Sequence, residues 1–110
     1  MKVPNADQAI IAQDKLSNYL LNVAHRRGAS KAKLLLAMGY RPDRWQQLEA
    51  DIRSQHLGAE VEGPVSTEYG TRYEIVAPLQ GPAAPAVVFR SVWQIDTGTR
   101  VPRLITMYPE

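Results

Sequence analysis

The chain has 110 residues, 45% of them hydrophobic and 22% charged, with a net charge of +2 and no cysteine. That is enough chain for one core but not two, and the lack of thiols excludes disulfides, zinc–thiolate sites and cysteine nucleophiles. The charge surplus is too small to make the whole surface a polyanion trap, so any such site has to come from local clustering. No apolar run reaches the length of a membrane span or a signal-peptide core, which gives the expectation of a cytoplasmic chain with no membrane contact.

Residues 9–12 (AIIA) read either as a strand added to a sheet edge or as an arm packed on the body. Asp14 is placed to cap a helix from Lys15 to about Val23, with Leu16, Tyr19, Leu20 and Val23 on one apolar stripe. Gly28 then breaks the chain, and Ser30 is the expected N-cap of a second helix, Lys31 to Met38, closed by Gly39. Leu34, Leu35 and Met38 face the core. Pro42 opens a third helix that runs to about Leu57, with Trp45, Leu48 and Ile52 buried. Glu49 and Arg53 pair on its outside.

From Ala59 the hydrophobic period becomes two. A short edge strand is expected at 61–66, weakened by Gly63 and Pro64. A second strand starts at Tyr69, with Tyr69, Thr71, Tyr73, Ile75 and Leu79 on one face and Arg72 and Glu74 on the other. The third (Val87–Ile95) has apolar residues on both faces and reads as central. The fourth sets Arg103, Ile105 and Met107 against Leu104, Thr106 and Tyr108. The expected architecture is a single α+β domain: about three helices (1–58) packed on one face of a three- to four-stranded antiparallel sheet (59–110).

Two groups of residues carry candidate chemistry. His25, Arg26, Arg27, Lys31 and Lys33 gather at the start of the second helix, where the dipole favours acids, not lysines. They read as a phosphate site or as a solvated basic loop. A histidine side chain takes or gives a proton near neutral pH, so His25 is the proton-transfer candidate. His56, at the tail of the third helix, reads as a structural cation facing the dipole. On the strands, Arg72 and Arg90 share a face, and so do Thr106 and Tyr108. Arginines bind phosphate bidentately and hydroxyls donate to its oxygens; the competing reading is cross-strand pairing with Glu74. Two histidines without a nearby acid pair give no metal site, and no cofactor motif is present.

The stretches MKVPNADQAI, AHRRGASKAKLL, EYGTRYEIVAPLQGP, VVFRSVWQI and VPRLITMYP resemble a bacterial family of small domains of unknown function. Its members occur alone or at the C-terminal tips of polymorphic toxins. The order of helices then sheet, with a final strand of the form T-x-Y-P, is also similar to the ribonuclease toxin fold of barnase, EndoU, the tRNA-cleaving colicins and RelE. The resemblance implies a metal-independent endoribonuclease that uses the ribose 2′-hydroxyl as internal nucleophile. It implies His25, Arg72, Thr106 and Tyr108 as catalytic residues and Arg26, Arg27, Lys31, Lys33, Arg90 and Arg103 as RNA contacts. It also implies RNA as partner, a small antitoxin or immunity protein, and delivery into a target cell where the domain tips a secreted toxin. The family pattern often has a second histidine just before the lysine, where this chain has Ser30. The competing functions are a non-catalytic binding module, one half of a two-gene pair, and an enzyme acting on a small phosphorylated ligand.

Overall fold

The computed structural model describes residues 1–26 and 29–110. The protein is α+β, with its helices before its strands. The four strands, β1 (Glu62–Thr67), β2 (Gly70–Leu79), β3 (Val87–Asp96) and β4 (Arg103–Pro109), form an antiparallel sheet in chain order. One face of it carries Tyr73, Ile75, Leu79, Phe89, Trp93, Leu104 and Met107, all buried against the helices. β3 is central, pairing along its length with β2 and over 89–94 with β4.

Helix α1 spans 13–20: one α-turn (Gln13–Lys15) widens into π-turns (Leu16–Leu20). The wide turn is closed by the Leu21 N–H donating to the Leu16 carbonyl at 2.9 Å. An extra residue in a turn rotates the side chains beyond it to a new face. Leu16, Leu20 and Leu21 therefore fill the core, whereas Val23, expected on the stripe, is exposed. Helix α2 (Ala29–Ala37) has Ser30 inside it rather than capping it. It ends as expected at Gly39, whose φ is +101°. The Tyr40 N–H bonds the Leu35 carbonyl and the Gly39 N–H that of Leu36, the two bonds of a Schellman cap. Helix α3 (42–56) begins with a 3₁₀ turn at Pro42–Arg44, continues as Trp45–Asp51 and widens into π-turns at Ile52–His56.

The wide end of α3 turns His56 into the core. It is structural, as expected, but as a fully buried side chain rather than a cation facing the helix dipole. Its Nδ1 lies 2.7 Å from Ser91 Oγ and its Nε2 3.0 Å from the Ala77 carbonyl. Ser91 Oγ also accepts from Trp93 Nε1 at 2.9 Å. Since a carbonyl only accepts, the proton sits on Nε2, and Ser91 donates to Nδ1. Burial holds the imidazole pKa below its ordinary value, with the backbone bonds of Ala77 and Phe89 opposing this.

The N-terminal arm does join the sheet, but through one residue. The Ile10 N–H bonds the Pro102 carbonyl and the Leu104 N–H bonds the Ile10 carbonyl, a single parallel bridge to β4. Arg53 Nη1 holds the arm to α3 through the Ala9 carbonyl at 2.9 Å. β4 departs from simple alternation: Val92 pairs with Thr106 and Trp93 with Leu104, so Ile105 is a bulge. Leu104 and Met107 then both point inward, which breaks the expected grouping of Ile105 with Met107. Tyr69 lies in the β1–β2 turn, exposed, rather than on the face of β2.

The native state prefers neutral His56. Its contribution to stability is therefore complete above the unfolded pKa of about 6.5 and declines as pH falls through it, by at most about 1.4 kcal/mol per pH unit. Urea midpoints measured from pH 8 to pH 5 should fall in that window, and His56→Gln should flatten the decline. Ser91→Ala strands the Trp93 N–H and His56 Nδ1 and should cost about 1–3 kcal/mol in the same assay.

Candidate functional site

The widened turn of α1 also sets the position of Tyr19. Its ring is half-buried, and its hydroxyl accepts a hydrogen bond from Lys31 Nζ at 2.7 Å. Lys31, in the first turn of α2, also donates to Thr106 Oγ1 at 3.3 Å. Its ammonium lies 4.9 Å from the Tyr19 ring centre and 5.8 Å from that of Tyr108. Two aromatic faces and two hydroxyls thus hold a lysine whose place at a helix start is otherwise unfavourable. His25 packs against the Tyr19 ring in a T-shaped pair, centres 4.8 Å apart and planes at 80°. A turn built on Asn22 sets it there: Asn22 Oδ1 accepts from the Ala24 N–H, and its carbonyl from the His25 N–H.

Tyr19 and His25 line an open cleft of about 490 Å³ between α1 and β4, together with Ala12, Asp14, Lys15, Asn18 and the bulged Ile105; Lys31 adjoins it through its bond to the Tyr19 hydroxyl. Lys15 brings a second ammonium to within 5.7 Å of the Tyr19 ring centre. Asn18 Nδ2 donates to Asp14 Oδ1. Burial raises the pKa of the Tyr19 phenol, but hydrogen bonds from Lys31 and Thr106 and the charges of Lys31 and Lys15 outweigh it and bring the value below the ordinary one.

The structure therefore brings together His25, Lys31, Thr106 and Tyr108. Arg26 is exposed beside His25 along the chain, and Lys33 is exposed on α2. Arg27 and Gly28 lie outside the described residues. None of the strand arginines lines the cleft. Arg72 is exposed on the outward face of β2, opposite Gln94, two strands from β4. Arg90 shares that face, but its guanidinium is taken by Glu62 (2.9 Å), Glu74 (3.0 Å) and Glu110 (2.8 Å). Arg103 pairs with Asp96 at 2.8 Å, and its hydrogen bond is the main reason the Asp96 carboxyl lies below its usual range. Arg90 and Arg103 are thus engaged in pairing with acids of the sheet and its margins. Among the described residues no three His, Asp or Glu side chains gather as a metal-ligand set.

Sequence reasoning does not single out Tyr19, Lys15 or Asn18. The apolar stripe makes Tyr19 a core residue, and the residue types alone do not reveal a π-turn. The available signal is that a tyrosine on an apolar stripe needs a partner for its hydroxyl.

Residues 2–110 match the family described as Domain of unknown function (DUF6883). The chain belongs to that family. Comparisons with curated proteins and with solved structures return no match. This member of the family thus carries a cleft lined by Tyr19 and His25, with Lys31 bonded to the tyrosine hydroxyl, and, on the outward face of the sheet, an arginine enclosed by three carboxylates. No helix among the described residues is long and apolar enough to cross a membrane.

The enclosed arginine generates a test. Hydrogen bonds from Arg90 hold the Glu110 carboxyl below its ordinary value, so this stabilisation is present above the unfolded carboxylate pKa of about 4.3 and is lost as pH falls through the depressed value. Arg90→Met leaves three acids facing one another. Its melting temperature should drop at pH 7, and the gap to the wild type should narrow at pH 4.

Proposed function

We propose that the cleft between α1 and β4 is the active site of a metal-independent endoribonuclease. The observation that carries this reading is the ammonium of Lys31, held between the Tyr19 and Thr106 hydroxyls, beside a cleft that Tyr19 and His25 line. A buttressed cation with a hydroxyl donor suits the non-bridging oxygens of a phosphodiester, and its charge stabilises the additional negative charge of a pentavalent transition state. The cleft is of a size that takes one nucleotide. His25 takes the proton of the ribose 2′-hydroxyl, and the 2′-oxygen attacks phosphorus. The bond to the 5′-oxygen breaks and that oxygen takes up a proton, leaving a 2′,3′-cyclic phosphate and a 5′-hydroxyl.

Lys15, Arg26 and Lys33 supply positive charge for flanking phosphates. Arg72, exposed on the outward face, reaches RNA that runs across the sheet. The helix-then-sheet order and the final T-x-Y-P strand, read as a resemblance to toxin ribonucleases, accord with this proposal and add the expectation of a small neutralising partner. A second reading, a binding module from a two-gene pair, is favoured by β1, whose six residues are all exposed, with Val65 53% accessible.

Wild-type protein with EDTA should cut single-stranded RNA to products ending in 2′,3′-cyclic phosphate. His25→Ala should lower the rate by about 10²–10⁴-fold. RNA left intact by the wild type would sink the enzymatic reading and leave the binding module. Binding of RNA oligonucleotides should weaken with salt, and Lys31→Met and Lys15→Ala should each reduce the slope of log K against log salt by about 0.7.

A further inference from the structure

Cleavage through the ribose 2′-hydroxyl needs a second proton transfer, to the departing 5′-oxygen, and His25 cannot perform both in one step. We infer that Tyr19 is the proton donor to the leaving group, with Lys31 acting on it as a positioning residue. This assignment rests on the endoribonuclease reading of the cleft and names a residue that reading leaves open.

The geometry supports it in three ways. Tyr19 lies in the cleft beside His25, ring centres 4.8 Å apart, so one phosphodiester can meet both groups. Lys31 Nζ donates to the phenol oxygen at 2.7 Å and, being a donor only, leaves the phenol's own proton for another acceptor. Its charge also stabilises the phenolate formed when that proton leaves, and Lys15 adds a second charge 5.7 Å from the ring centre. The lowered phenol pKa agrees with this arrangement, because a donor nearer to neutrality transfers its proton more readily. Of the other charged groups, Asp14 lines the same cleft but is held by Asn18. Thr106 Oγ1 accepts a hydrogen bond from Lys31 and so helps hold the ammonium against the phenol.

The protons balance. The 2′-hydroxyl proton goes to His25 as the 2′-O–P bond forms. The phenol proton goes to the 5′-oxygen as the P–O5′ bond breaks. Tyr19 is left as phenolate against the Lys31 ammonium and is reprotonated from water, while His25 releases its proton.

The experiment is cleavage of a defined RNA oligonucleotide from pH 5 to pH 10, with circular dichroism to verify folding. The wild-type profile should fall at high pH as the phenol ionises. Tyr19→Phe should lose about 10²–10⁴-fold in rate and the alkaline limb with it. Lys31→Met should keep an alkaline limb but move it to higher pH, a shift that loss of a purely structural contact would not produce. Absorbance titration at 295 nm, without RNA, should show one tyrosine ionising below the others in the wild type, absent from Tyr19→Phe. An oligonucleotide lacking the need for acid assistance, with a 5′-thio leaving group, should be cut by Tyr19→Phe at close to the wild-type rate. If Tyr19→Phe cuts ordinary RNA within about threefold of the wild type, the donor role is overturned while the nuclease reading stands. If the wild type cuts no RNA, both fall together.

Discussion

A serine hydroxyl in the middle of the central strand constrains much of this protein. Ser91 sits on the inward face of β3 with no exposure to water, between Phe89 and Trp93. An unpaired hydroxyl in such a place costs more than a hydrogen bond returns. Its two partners come from different layers: Trp93 in its own strand and His56 from the last turn of α3. His56 in turn uses its other nitrogen on the Ala77 carbonyl in β2. The helix layer is thereby docked on the sheet at one register, because a slip in either would leave a buried donor or acceptor without a partner. Hydrophobic contact alone tolerates such slips; directional bonds do not.

The polar core and the cleft depend on the same backbone device. The π-turns at Leu16–Leu20 and Ile52–His56 each change the face presented by the residues at and beyond them. In α3 the change delivers an imidazole to the core. In α1 it sends Leu21 inward in place of Val23 and leaves Tyr19 at the cleft. Wide turns are poorer helices than α-turns and persist where the side chains they reposition compensate. The bulge at Ile105 has a comparable effect on the sheet, keeping Thr106 and Tyr108 outward while Leu104 and Met107 remain in the core.

The larger features were legible in the sequence because they arise from periods and breakers. The change from a helical to a two-residue period near Ala59, the stop at Gly39 and the apolar residues on both sides of β3 all match the structure. Residues that depend on a local change of period were not legible. Tyr19 and His56 lie in π-turns, and Ile105 is an extra residue, so a fixed spacing assigns the wrong neighbours to each. The arginines show another limit. Alternation placed Arg72 and Arg90 correctly on one face, but it could not tell that three acids from β1, β2 and the residue after β4 would occupy Arg90 and leave Arg72 exposed.

The bridge at Ile10 has a consequence for how the sheet can grow. The arm bridges β4 at one point, Ile10 beside Arg103, whereas β1 pairs among the described residues only with β2. The free side of β1 therefore offers its backbone groups to an incoming strand, while the arm occupies those of β4 that flank Arg103.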